Sequence, residues 1–335
     1  MVPHTKDEDV SLTDEEIPCD LHSLRFSDLF VGPDVFEVKV GPRQLYERTL
    51  YRHLCNPEQV WKALLERCEA CYAEADRQEF TVSYDTLTFR VSRISTRNHQ
   101  GVFVMRRIPA EVPSLDSLGL PDYIYKRLTR RRLTGLIILS GSVGSGKTTT
   151  ASALMADRLT KESGVCLAVE DPPEMPLEGD YPGGRCYQVT VKDQDFATPL
   201  RHSLRMSPDF LYIGEIRDPV SAVEAIRASL SGHLVISTIH SHNVSSAITR
   251  LYSLAAIEVG SEDASSMLSN GLSAVIHQRL TRGTGRLSIR AEMLWLSGDE
   301  NTGSRSLIAK RQFHQIDSEV NSQGLRLQND GGEDT

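Results

Sequence analysis

The stretch LIILSGSVGSGKTTTASALMADRL, residues 136–159, decides how this chain is read. Leu136 to Leu139 form a short apolar run bounded by small residues, the pattern of a buried strand. Gly141 to Thr148 then fits the spacing GxxxxGK[ST] letter for letter. Gly141, Gly144 and Gly146 let the backbone turn tightly and aim successive N–H groups at phosphate oxygens. Lys147 can reach the outer phosphates and Thr148 supplies a hydroxyl for Mg²⁺. The helix expected to start near Lys147 directs its positive end at the same anion. A dinucleotide fingerprint would not close on a Lys–Thr pair. The candidate nucleotide contacts are therefore Gly141, Ser142, Val143, Gly144, Ser145, Gly146, Lys147, Thr148 and Thr149, with ATP and Mg²⁺ as the expected ligands.

Downstream of this loop, strand-like and helix-like segments alternate. Strands are expected at 165–169, 187–191, 210–213 and 234–238, and helices at 147–159, 195–206, 219–230 and 243–255. That rhythm requires a parallel sheet covered by helices, an α/β architecture. A further amphipathic helix is expected at 262–280, and at most a strand pair at 286–296. Two acidic clusters end strands of this sheet. CLAVEDPPE brings Glu170 and Asp171 to one strand end, and FLYIGEIRD brings Glu215 to another, with Arg217 following. Ligands of open parallel sheets bind beyond the carboxyl ends of the strands, so both clusters arrive near the phosphates. Hydrolysis of a nucleoside triphosphate needs a metal on the phosphate oxygens and a group that positions or deprotonates water. Glu215 is the candidate for the water, and Thr148, Glu170 and Glu215 for the Mg²⁺ shell, partly through water. In SGHLVISTIHSHN, His240 follows an apolar strand and can feel a γ-phosphate, whereas His233 precedes that strand at its other end.

The segment before the loop reads as a separate, smaller α+β unit. Short strands are expected at 26–31 and 35–41, a helix after Pro57 with Trp61, Leu64, Leu65, Cys68 and Tyr72 along one face, and extended runs at 80–95 and 102–108. A phase change near Asp85–Thr86 marks a hairpin or a bulge. Arg90, Arg93, Arg97, Arg106 and Arg107 lie on its closing strands, and an arginine brought across an interface can stabilise transferring phosphate.

Charge and cysteine usage narrow the class. The net charge of −8 resides in the ends: residues 1–16 carry six acids and one Lys, and 317–335 five acids and one Arg, which leaves the body near neutral. Direct nucleic-acid binding is not expected from that balance, and the basic run Lys126, Arg127, Arg130, Arg131, Arg132 is its only support. Six cysteines do not suggest a disulfide framework, and the lone Cys68–Cys71 CxxC on a helix is not expected to bind zinc. Residues 1–30 show no apolar run of signal-peptide or membrane-anchor length.

Four ordered boxes carry a resemblance. GSVGSGKTTT (141–150), VEDPPE (169–174), LRMSPDFLYIGEIRD (204–218) and GHLVISTIHSHN (232–243), followed by IHQRL (276–280), resemble the secretion ATPase superfamily of type IV pilus retraction, type II secretion and conjugative transfer. LTFRVSR, FVMRRIP and LDSLGLP upstream resemble its arginine-bearing strands and linker. The resemblance implies a PAS-like domain joined to a RecA-like P-loop NTPase domain, assembled as a homohexamer. It further implies a cytoplasmic location, peripheral to the inner membrane, with membrane components of a secretion or conjugation machine as partners. By the same resemblance Glu215 is the general base, Glu170 assists metal and water, and His240 and His233 form the histidine-box pair. Arg90 and Arg106 reach the nucleotide, and Arg217 follows the Walker B glutamate.

The compact layout resembles both the retraction motors and the small ATPases of conjugal transfer and Dot/Icm-type secretion. The divergent N-terminal half and the poor match to the retraction family's C-terminal segment point to the second group, with a pilus-retraction motor or a weakly hydrolysing nucleotide-gated scaffold as alternatives. The expected division is an acidic disordered segment at 1–20, a PAS-like domain at 21–110, a linker at 111–122, the ATPase domain at 123–300, and a final helix with an acidic tail at 301–335.

Overall fold

The computed structural model describes residues 20–22, 26, 28–39, 46–47, 56–75, 78–95, 97, 101–191, 195–282, 287–298 and 301–329. The expected acidic segment at 1–20 falls almost wholly outside them. Contacts divide the chain into two compact units, Met1–Ala110 and Glu111–Thr335.

In the first unit, a hairpin of β1 (Asp28–Gly32) and β2 (Val35–Lys39) is followed by β3 (Tyr46–Glu47), α1 (Pro57–Ala75), and the meander β4 (Glu79–Tyr84), β5 (Leu87–Ile94) and β6 (Val102–Ile108). The six strands form one antiparallel sheet in the order β3-β2-β1-β6-β5-β4. Leu64 and Cys68 of α1 are buried against Phe89, Val91, Phe103 and Met105, which alternate along β5 and β6 onto one face. Trp61 closes one end by donating its indole N–H to Gly32 O at 2.8 Å. The phase change is a tight hairpin: Tyr84 pairs with Leu87, and Asp85 turns the chain at φ 54°. Cys68 lies within this core with its Sγ 3.7 Å from Met105 Sδ, and burial pushes its thiol up to about 12.

The second unit is an eight-stranded sheet with helices on both faces. Its strands are β7 (Gly135–Gly141), β8 (Gly164–Glu170), β9 (Gly179–Asp180), β10 (Gly184–Thr190), β11 (Phe210–Ile213), β12 (Leu234–His240), β13 (Leu272–Arg282) and β14 (Leu287–Trp295), in the order β14-β13-β7-β12-β11-β8-β10-β9. All neighbours are parallel except β14 beside β13 and β9 beside β10. The helices are α2 (Asp122–Leu128), α3 (Lys147–Lys161), α4 (Ala197–Arg205), α5 (Pro219–Leu230), α6 (Val244–Val259), α7 (Ser261–Gly271), α8 (Thr302–Ala309) and α9 (Ile316–Asn329). Strand β7 shows why the run 136–139 is apolar throughout. Ile137 and Leu139 enter the core beneath α2 and α3, while Leu136 and Ile138 enter the core beneath α5, α6 and α7. A central parallel strand is covered on both faces and needs both phases apolar.

Two expectations are corrected. The helix expected at 262–280 ends at Gly271, and the chain continues as β13 beside β7. Leu272, Ala274, Val275 and Ile276 are all buried, so this stretch belongs to a strand covered on both faces, where periodicity cannot separate strand from helix. The single final helix expected within 301–335 is two, α8 and α9, the second running to Asn329. Ile316 and Val320 enter the same core as α5 to α7, and Gln323 bonds both backbone groups of Trp295. Residues 301–329 therefore pack as part of the second unit.

Candidate active site

The loop between β7 and α3 is built by its glycines. Gly141, Gly144 and Gly146 hold φ values of 152°, 73° and 84°, the region open mainly to glycine. A Cβ on Gly141 would meet Gln278 O at 2.4 Å and Ser145 Oγ at 2.5 Å, so the loop lies flush on β13. Gln278, wholly buried, pins it further by donating its amide to Ser145 O at 2.7 Å. Gly146 is the N-cap of α3 and supplies no side-chain acceptor, which leaves the helix's first N–H groups for an anion. Thr148 and Thr149 follow in the first turn of α3.

The Lys147 ammonium, 6% exposed as a residue, lies at the centre. It donates to Gly141 O at 3.0 Å and Ser142 O at 2.9 Å, and stands 3.3 Å from His240 Nδ1. Burial lowers its pKa, and the nearby carboxylates of Glu215 and Glu174 work in the opposite direction. With Lys147 donating to Nδ1, the other imidazole nitrogen of His240 carries the proton and donates to Glu215 Oε1 at 3.2 Å. The other carboxylate oxygen, Oε2, receives Arg217 through Nε at 2.7 Å and Nη2 at 2.6 Å. His240 titrates below its ordinary value, because burial and the Lys147 and Arg217 charges outweigh the attraction of Glu215. The result is a continuous chain from the phosphate loop through Lys147, a neutral His240 and Glu215 to Arg217.

Glu170 arrives from the end of β8 and is 2% exposed. Its Oε1 accepts from Gln188 Nε2 at 2.6 Å, and its Oε2 accepts from Glu174 N at 3.4 Å. Gly214 permits this approach, since a Cβ there would meet Glu170 Cγ at 3.0 Å. Thr238 Oγ1 donates to Gly214 O at 2.7 Å and fixes the turn that carries Glu215.

The remaining site residues are elsewhere. His233, at the amino end of β12, sits with its Nδ1 3.2 Å from Ala228 O. The seven-residue strand that ends at His240 separates the two imidazoles by about 20 Å along the sheet, at about 3.3 Å per residue. Within one chain His233 does not join the Glu215 group. Arg90 and Arg106 belong to the first unit, where they are direct cross-strand partners on the face opposite α1. Like charges in that register repel. Each is offset by an acid, Arg90 by Glu79 at 3.0 Å and Arg106 by Asp28 at 2.9 Å.

Gln188, Gln278 and Thr238 were not singled out from sequence. IHQRL did mark the neighbourhood of Gln278, but nothing in its spacing gave the amide a task.

The donor set fits a nucleoside triphosphate with Mg²⁺. It combines a loop of N–H groups, an uncapped helix start, an ammonium, a hydroxyl, the buried Glu170 carboxylate and the half-buried Glu215 carboxylate, and hard oxygen donors are what Mg²⁺ takes. Fold and site together define a P-loop NTPase of RecA-like architecture. More narrowly, residues 65–312 match the family model described as Type II/IV secretion system protein, and the chain belongs to that family. The type II secretion system protein HxcR of Pseudomonas aeruginosa is 36% identical over 225 residues, 66% of this chain and 45% of that protein. The crystal structure of the pilus retraction motor PilT with bound ADP superposes with a TM-score of 0.71 at 25% identity, over 88% of this chain and 85% of that one. The Legionella pneumophila ATPase DotB shares the fold, with a TM-score of 0.68 at 20% identity over 88% and 84% of the two chains. The chain spans about half the length of the curated relatives it matches, or less.

Proposed function

We propose that the protein is an ATPase motor of a secretion machine in the cell envelope, of the type IV secretion or conjugal-transfer kind, working as a homohexamer. The observation that carries this reading is the Lys147–His240–Glu215–Arg217 chain, which ties the phosphate loop to a carboxylate held ready for water. Family membership supports the class of machine. The fold shared with PilT, over 88% of this chain at 25% identity, supports a motor of this family.

In this reading the N–H groups of 141–148 cradle the phosphates and Lys147 turns from the loop carbonyls to the outer phosphate. Thr148, Glu170 and Glu215 would hold Mg²⁺, partly through water, and the metal would neutralise phosphate charge. Glu215 orients and deprotonates the attacking water. His240, neutral and donating to Glu215, fixes the carboxylate and can sense the γ-phosphate. Arg90 and Arg106 contribute positive charge from the first unit, which we read as PAS-like from its antiparallel sheet with one covering helix. His233 serves the adjacent subunit or the strand's own end.

The ring works at the cytoplasmic face of the inner membrane, recruited by membrane components of its machine. Among the described residues no helix is long and apolar enough to cross a membrane. Neither zinc nor nucleic acid enters the reading.

A pilus-retraction motor is the second reading, favoured by the PilT superposition. Deleting the gene separates the two. Loss of conjugal transfer or protein export with twitching intact supports the proposal, and loss of twitching alone supports retraction. A six-subunit mass in solution is expected for either, and complementation by Glu215→Gln at full strength would instead indicate a nucleotide-gated scaffold.

A further inference from the structure

Helix α9, far along the chain from the phosphate loop, ends up beside the site. Its first-turn residue Asp317 reaches the turn that joins His240 to α6. Asp317 Oδ2 accepts from Asn243 Nδ2 at 2.9 Å and from Ser245 Oγ at 3.0 Å, and Oδ1 accepts from Ser245 N at 3.3 Å. Asn243 is the N-cap of α6 and forms a capping box with Ser246. One carboxylate thus lies in the first turn of α9 and at the amino end of α6, where two helix dipoles favour it.

A second clamp acts on the same turn. Arg279 of β13 donates from Nη2 to His242 O at 3.3 Å and from Nε to His277 Nε2 at 3.1 Å. The His277 ring, buried, contacts Ser140 Oγ at 3.2 Å, one residue before the loop's first glycine. The chain from His240, which pairs with Gly141, to the N-cap Asn243 is three residues long. Held by Arg279 at 242 and by Asp317 at 243 and 245, it has no slack.

We infer that Asp317 and Arg279 are positioning residues of the ATPase site: they fix the 241–245 turn so that His240 stays within hydrogen-bond reach of both Lys147 and Glu215. The C-terminal helix thereby sets the catalytic geometry, and a partner that moves α9 would alter hydrolysis. This rests on the role proposed above for Glu215 and His240. The phosphate loop has its own anchor in Gln278, so nucleotide binding is independent of the clamp.

The test is steady-state ATP hydrolysis and equilibrium ATP binding by the full chain and four variants. Asp317→Ala is expected to lower kcat roughly tenfold, within the about 100-fold that a 1 Å misplacement can cost, while ATP affinity changes less than about twofold. Asp317→Asn keeps an oxygen for Ser245 N but sets its NH2 against the Asn243 amide, and recovers part of kcat. Arg279→Lys offers one ammonium for two separated acceptors and behaves as a loss. Glu319→Ala is the control: it breaks the Ser304, Gln323 and Arg326 contacts of α9 without touching the turn, and keeps wild-type kcat. Wild-type kcat in folded Asp317→Ala overturns the inference, as does an equal loss in Glu319→Ala, which would make the effect general undocking of the helix. Glu215→Gln is assayed alongside. If it hydrolyses normally, the Glu215 reading fails; if it is inactive while Asp317→Ala is normal, only the clamp fails.

Discussion

Acid should weaken the second unit through one buried imidazole. His277 is 3% exposed, and its Nε2 accepts from Arg279. Protonating that nitrogen removes an acceptor and sets two cations face to face. Burial, then the Arg279 charge, followed by His242 and Lys147, depress its pKa from 6.5 to about 4, with Asp317 opposing. Between those values the unfolded chain binds a proton that the fold rejects, so stability falls as pH falls through that window. Linkage gives a loss of about 2 kcal/mol from pH 7.5 to pH 5, and about 1–2 kcal/mol after allowing for solvent screening of the exposed Arg279. The assay is urea unfolding at both pH values in a Trp61→Phe background. Trp295 then reports the second unit alone, since these are the chain's two tryptophans. His277→Gln keeps a donor for Ser140 and an acceptor for Arg279 but cannot titrate. Its stability should fall less on acidification than that of the His277 protein, by about 1–2 kcal/mol. Equal losses in the two proteins would refute the reasoning.

Three further outcomes follow from the site and its supports. Gly141→Ala drives a methyl against Gln278 O; it should cost about 1–3 kcal/mol of stability in urea unfolding and abolish ATP binding in a fluorescent-nucleotide titration. Gln278→Ala removes the pin on Ser145 O and should weaken ATP binding about tenfold with kcat on saturated enzyme little changed. Arg158, 1% exposed, binds Asp157, Glu162 and Arg130 O together; Asp157 keeps Lys161 at 2.6 Å and both acids are half-buried, so Arg158→Met should lower unfolding free energy by about 1–2 kcal/mol, through Arg130 O and Glu162 losing their buried donor.

The parts of the site that could be read beforehand are local ones. A phosphate loop is one turn of chain between one strand and one helix, so its residue types and spacing state its geometry. Glu170, Glu215 and His240 were legible because each ends a strand of a parallel sheet, and such ends converge. Strand β13 was hidden because Leu272 to Ile276 are covered on both faces and show no period of two. Helix α9 was hidden for the opposite reason: polar residues fill most of it, and its attachment combines Ile316 and Val320 with the polar contacts of Asp317, Glu319 and Gln323. His277, Gln278 and Arg279 act on Ser140, Ser145 and His242 across 137, 133 and 37 residues. No local pattern encodes contacts of that span. They appear only once β13 is laid beside β7.

The central claim is that Glu215, held by His240 and Arg217, activates the water that attacks ATP. The most direct test compares Mg²⁺-dependent phosphate release by the wild type and Glu215→Gln, with ATP affinity measured on the same preparations. The account predicts that Glu215→Gln binds ATP as the wild type does and releases phosphate at less than about a hundredth of its rate, the scale expected for losing a positioned base. Phosphate release by Glu215→Gln at the wild-type rate would contradict it.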